Sequence, residues 1–224
     1  MKNLFINILV LLFSINNMTS QTLLTENDVW NLIDSVRKIE NKDVKKMRFL
    51  LHQSLISKSD TTIVSFDVVI NNLHQKAQLW DFVAIDKIFT NLRMMTEDEH
   101  FYFQYGLISL GKKAYYNVLQ NSDKLLNYIP NEMCENGKDF DFSNFDFVGG
   151  SGFRIFVEKY GDNKLYDNIT TKITQMGTEP SPPDVYQGYK AKSLKELESR
   201  IPNIWSKFSD FRNYKELFLF WFKD

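Results

Sequence analysis

Over residues 28–89, apolar side chains recur every third or fourth position, the spacing that gathers them on one face of an α-helix. A first helix is predicted to about Glu40, with Val29, Leu32, Ile33, Val36 and Ile39 inward. Ahead of it, Thr25-Glu26-Asn27-Asp28 has the T-x-x-D form of a capping box, a hydroxyl and a carboxylate placed for the first free N–H groups. Asp43 caps a second helix whose inner face carries Val44, Met47, Leu50, Leu51 and Leu55. Ser59 or Asp60 opens a third, with Ile63, Phe66, Val69, Ile70, Leu73 and Ala77 inward. The β-branched residues 61–64 would suit a strand, but the 3.6-residue period continues beyond them and favours helix. A fourth helix runs from Leu79 through Trp80, Phe82, Val83, Ile85, Ile88 and Phe89 to Leu92. It is apolar around most of its circumference, as a buried central helix is.

Residues 96–119, TEDEHFYFQYGLISLGKKAYYNVL, are the aromatic-dense centre of the chain. Thr96 and Glu99 form a T-x-x-E capping box at the head of a fifth helix, and Gly111 suits the left-handed residue that ends one. Ala114, Tyr115, Val118 and Leu119 continue in a sixth helix, stopped by Asn121-Ser122-Asp123. Residues 131–144 read as a loop. Residues 145–160 regain helical spacing, interrupted by Gly149, Gly150 and Gly152, and residues 163–176 form a further helix. After the Pro/Ser turn region at 177–183, Ser193 starts a short helix with Leu194 and Leu197 that ends before Pro202. Trp205, Phe208 and Phe211 lead into residues 214–222, an aromatic helix or an edge strand. The expectation is a mainly α protein: one multi-helical, bundle-like domain over residues 21–224, centred on 101–110, with room for short irregular or β pieces in the C-terminal third.

Composition changes this picture little. The 224 residues, 43% hydrophobic, suffice for one sizeable core, and 19 Phe, 10 Tyr and 4 Trp make it aromatic. A formal net charge of −1 gives no clustered positive surface for counterion release, so no nucleic-acid partner is expected. Cys134 is the single cysteine, which excludes an intramolecular disulfide and a cysteine-rich zinc site. Residues 1–20 do alter the expectation. Lys2 supplies a positive start, residues 4–15 an apolar stretch, and Ser20 a small residue before Gln21, the three parts of a signal peptide. The run is shorter than the ~20 residues of a bilayer span and contains Asn7. An uncleaved N-terminal anchor is the alternative. Export to the periplasm or beyond, with no stable membrane anchor after cleavage, is the expectation.

Several landmarks carry a resemblance. They are Val29-Trp30-Asn31-Leu32-Ile33-Asp34, Phe66, Leu79-Trp80 and the central Phe101-Tyr102-Phe103-Gln104-Tyr105-Gly106-Leu107-Ile108-Ser109-Leu110-Gly111, followed by Asn121-Ser122-Asp123-Lys124-Leu125 and Ile201-Pro202-Asn203-Ile204-Trp205. In order and spacing, over about residues 28–208, the chain resembles a bacterial family, the domain of unknown function 4240. Members usually carry a Ser-Asp-Asp or similar acidic turn where this chain has Thr96-Glu97-Asp98-Glu99-His100, and most are cytoplasmic, whereas this chain reads as having a leader. The resemblance implies a largely helical fold and brings no established chemistry.

Among candidate sites, Glu97, Asp98 and His100 at the head of the central helix, beside Trp80 and Tyr105, are the best placed for acid–base work or a cation. Carboxylates in a first turn also answer the helix dipole, worth about 0.3–1 kcal/mol each. Capping therefore takes precedence. His52, His74 and His100 lack the H-E-x-x-H spacing of a zinc site, and half-buried helix faces account for the first two. Residues 139–146 alternate acid and aromatic without the order of an EF-hand. The glycines at 149, 150 and 152 lack the lysine of a phosphate loop and fit close helix packing instead; Ser151 lacks the G-x-S-x-G frame of a nucleophile. Glu132 and Glu135 disfavour a Cys134 thiolate. No metal and no cofactor is expected. Two functional classes follow: a non-catalytic binding or interaction module with a protein partner, an immunity-type role among its versions, or a hydrolase built on the acids and His100. N-terminal sequencing of the exported protein should begin at Gln21, and a retained Met1 would contradict the leader.

Overall fold

The structure, a computed structural model, describes residues 23–40, 43–89, 97–129, 142–161, 163–175, 188 and 190–208, with the side chains of 97–99 and 143 excepted. The protein is mainly α, and no β-strand occurs among the described residues. Helices α1 (Glu26–Ile39), α2 (Val44–Ile56), α3 (Asp60–Lys76), α4 (Trp80–Phe89), α5 (Glu97–Ser109) and α6 (Lys112–Gln120) succeed one another. Two 3₁₀ turns follow, Ser122–Asn127 and Phe142–Phe145. Then come α7 (Ser151–Tyr160), α8 (Lys164–Gln175), α9 (Leu194–Arg200) and α10 (Pro202–Lys207).

The helix starts follow the expected side chains. Thr25 and Asp28 form the reciprocal capping box of α1, and the bond from the Thr25 hydroxyl holds the Asp28 carboxyl below its ordinary range. Asp43 accepts from Lys46 N–H at the head of α2, and Ser193 from Glu196 N–H at the head of α9. The β-branched residues 61–64 are helical. Two boundaries depart from expectation. Gly111 has φ 92° and ψ 167°, so it is glycine-dependent but not left-handed helical, and it opens α6 as well as following α5. The helix expected from residue 145 begins only at Ser151, because Asp146 turns the chain by accepting from Val148 and Gly149 N–H. The capping box at Thr96, the loop over 131–141, Cys134 and the aromatic tail at 214–222 lie outside the described residues.

The chain divides into two compact units, one of residues 1–71 and 150–180 and one of 72–149 and 181–224. In the first, Val29, Trp30, Ile33 and Val36 of α1, Leu51 and Leu55 of α2 and Ile63, Val64 and Phe66 of α3 are fully buried. Phe156 of α7 and Ile173 of α8 pack with Val64 and Val68. Lys159 and Tyr160 both bond Asp60, at 3.0 and 2.7 Å, and tie the end of α7 to the start of α3. The closest approach is at Gly152. Its backbone lies where an added Cβ would meet the Ile63 carbonyl at 2.6 Å and the Asp67 carboxylate at 2.9 Å.

In the second unit, α4 buries every residue from Ala84 to Phe89, the charged Asp86 and Lys87 included. Phe82, Phe89, Phe103 and Phe142 form a tilted ring cluster with centroids 4.8–6.3 Å apart. Of the central segment, Phe103, Gln104 and Leu107 to Leu110 are buried, whereas Phe101 and Tyr102 reach solvent. The helix periodicity that placed 101–110 at the centre holds for the inward face only.

The Gly152 contact gives a test. Gly152→Ala should destabilise the protein by about 1–3 kcal/mol in chemical denaturation, the cost of overpacking against backbone that cannot yield. Gly161→Ala, where nothing lies within 4 Å and only a φ of 67° is strained, should cost less. Equal losses would contradict the close approach.

Candidate functional site

Charged residues inside an otherwise apolar helix locate the polar chemistry of the second unit. Asp86 on α4 accepts from His100 on α5 at 2.9 Å, and both side chains are buried. The Gln104 amide nitrogen, one turn further along α5, lies 3.1 Å from the other ring nitrogen of His100 and 3.4 Å from the Ala77 carbonyl. A carbonyl demands a donor, which sets the amide orientation; the amide nitrogen then donates to His100 Nε2 as well. His100 therefore carries its proton on Nδ1 and donates it to Asp86. An imidazole oriented by a carboxylate is half of an acid–base arrangement. Here the outer nitrogen faces Gln104 inside the fold, and His100 is only 6% exposed.

His74 lies beside this group. Its ring stands 4.9 Å from that of Tyr105 and 5.1 Å from that of Phe101, and its Nε2 has no hydrogen-bond partner among the described residues, nor does Gln104 Oε1. Burial, and secondly the neighbouring His100, lower the His74 pKa to about 4. The aromatic walls explain why: they offer the cation too little solvation to replace water.

A second polar group opens to solvent. A pocket of about 330 Å³ is lined by Leu79 to Asp81 at the start of α4, Leu119 to Ser122 at the end of α6, Gly188 and Arg200. The Arg200 guanidinium grips Asp81 with two parallel bonds of 2.8 Å, and the Ser122 hydroxyl donates to the same carboxylate at 3.4 Å. Lys190 places its ammonium 4.8 Å from the centroid of the Trp80 ring. Next along the chain from Ser122, Asp123 accepts from the backbone N–H groups of Asn203 and Ile204 at 3.0 and 2.9 Å and holds the start of α10. The segments around Asn121 and Pro202, separate in sequence, are joined at this carboxylate.

The residues singled out in the sequence thus fall in different places. His100 and Tyr105 sit on α5, with His74 of α3 against Tyr105, while Trp80 lines the open pocket, whose walls include none of the three. The side chains of Glu97 and Asp98 lie outside the described residues. His52 belongs to the first unit and bonds Glu158 at 2.7 Å. Among the described residues, no three acids, histidines or cysteines are grouped to hold a metal ion. Asp81, Asp86, Asn121 and Arg200 escaped sequence reasoning. The available signal was charge within LWDFVAIDKIF: an acid on an all-round apolar helix must find a partner inside the fold.

Two outcomes follow. Because unfolded His74 takes up a proton near pH 6.5 and folded His74 only near 4, the folded state loses about 3 kcal/mol between those values. Stability is full above pH 6.5 and falls as the solution is acidified. Denaturation curves at pH 7 and 4 should show that loss in the wild type and a smaller one in His74→Phe; identical losses would refute the assignment. His100→Ala removes a partner from two buried polar groups and should lower stability by about 2 kcal/mol or more, read from the urea midpoint.

A family model described as "Protein of unknown function (DUF4240)" matches residues 24–154, and no curated protein or solved structure matches the chain. The matched span runs from the Thr25 capping box through α6 to the first turn of α7, and takes in Trp80, Asp81, Asp86, His100 and Asn121, with Lys190 and Arg200 beyond it. Covering more than half of the 224 residues, that match makes the chain a member of the domain of unknown function 4240 family.

Proposed function

We propose that the protein is a non-catalytic binding module that acts outside the cytosol. The observation that carries this reading is the separation of its two polar centres. The imidazole capable of acid–base work is enclosed, its outer nitrogen held by Gln104, while the open pocket presents a carboxylate already locked by Arg200 and Ser122. A hydrolase needs a base within reach of substrate, about 2.6–3.2 Å from the proton it takes. A binding site needs what the pocket has: a concave shape, an aromatic side chain and a few fixed polar groups. The leader at residues 1–20 supports action in the periplasm or beyond it. An immunity-type role, holding a toxin or enzyme partner, is one form of such a module. The Asp86–His100 pair is what favours a hydrolase, and Glu97 and Asp98 would have to serve it from the head of α5.

Affinity capture from the native envelope with the mature chain tests the reading. A component retained by the wild type and lost with the Trp80→Ala, Gln120→Ala double variant is the expected result. Turnover of a chromogenic ester, glycoside or peptide that disappears in Glu97→Ala or His100→Ala would establish the hydrolase instead.

A further inference from the structure

The pocket at Trp80 also carries information about its ligand, and this step rests on the binding-module reading above. Its wall combines opposite hydrogen-bonding characters. The Gln120 side-chain amide makes no hydrogen bond to the described protein, and Asn121 spends only its oxygen, on Asp123 N–H. Each amide offers two N–H donors and a carbonyl acceptor. Asp81 accepts three bonds from Arg200 and Ser122, of the roughly four its carboxylate accommodates. It therefore stays an acceptor held rigidly in the wall.

Charge narrows the ligand. An anion would face the Asp81 carboxylate and the amide carbonyls; a cation would face Arg200 and the Lys190 ammonium above Trp80. A neutral ligand meets neither conflict. Donors and acceptors together in one lining suit hydroxyl groups, which both give and take a hydrogen bond. The opposite requirement comes from Trp80, Leu79 and Leu119, which line the same pocket with apolar surface. Such surface suits the C–H face of a saturated ring, which asks for no hydrogen bond. A volume of about 330 Å³ lies at the small end of ligand pockets and admits a single ring with its substituents.

From this combination we infer that the pocket binds a neutral sugar unit, its C–H face against the apolar lining of Leu79, Trp80 and Leu119 and its hydroxyls on Gln120, Asn121 and Asp81. Arg200 is a positioning residue that fixes the carboxylate. Affinity is expected to be weak for a free monosaccharide, because few groups contribute and each neutral hydrogen bond adds little net.

The mature full chain should be titrated with glucose, galactose, mannose and N-acetylglucosamine, with sodium phosphate and tetramethylammonium as anionic and cationic probes. Saturation-transfer NMR reports contact, and tryptophan fluorescence reports the ring. At least one sugar should bind, about threefold to tenfold more weakly in Gln120→Ala, the change expected from one lost hydrogen bond. Trp80→Phe keeps a ring and should bind more weakly than wild type, with an unchanged circular dichroism spectrum. Absence of binding by every sugar, binding unaffected by both substitutions, or preferential binding of phosphate or tetramethylammonium overturns the inference. A disaccharide of the bound sugar separates the two readings. Recovered intact, it leaves both standing; cleaved, it supports the ligand class and ends the non-catalytic reading. If no sugar binds but envelope capture still depends on Trp80 and Gln120, the binding module stands and the ligand class falls.

Discussion

The carboxylate of Asp67 lies within the first unit and accepts from Gly152 N–H at 2.9 Å, Phe153 N–H at 2.7 Å and the Tyr166 hydroxyl at 2.7 Å. A helix start leaves its first N–H groups without intrahelical partners, and in the interior water cannot supply them. One acid from α3 thereby sets where α7 begins, why residue 152 has no side chain, and which face of α8 carries Tyr166. Burial pushes the Asp67 carboxyl up, and the three donors with nearby Arg154 pull against it.

The second unit repeats the solution with different residues. Asp123 takes the N–H groups at the start of α10, Asp146 those of Val148 and Gly149, and Asp81 the guanidinium of Arg200. Each pairs a short acid with donors that would otherwise be stranded, and removing such a partner costs the desolvation of what remains. Aspartate suits the task because its side chain is short and loses little freedom when fixed. The acids of this chain are therefore partly an internal framework, rather than only a solvated surface.

That framework separates the functional candidates. His100 is drawn into the interior by Asp86 and Gln104, where it orders the core of α4 and α5. Trp80 stands at the first position of α4, where the helix emerges, and there meets the end of α6 and Arg200. Half a turn, about two positions, is enough to put helix residues in opposite environments, since 3.6 positions complete a revolution. The open chemistry accordingly gathers at helix ends.

Helix existence and most helix starts were legible in the sequence, because period, hydroxyl caps and acidic first turns are local properties of the chain. Thr25 and Asp28, Asp43 and Ser193 needed no knowledge of any other segment. The crowding at Gly152 was half legible: the glycines announced a close approach, but the Ile63 carbonyl that requires it lies on another helix. The polar groups were the least legible. Nothing local names the partners of Asp67, Asp86 and Asp123, and what makes these acids interior is a donor 14 to 86 positions away. Arg200 meets Asp81 across 119 positions. Hydrophobic period is written residue by residue, whereas the partner of a buried charge exists only once distant helices have packed, so tertiary structure alone decided which acids cap, which histidine is enclosed and where the pocket opens.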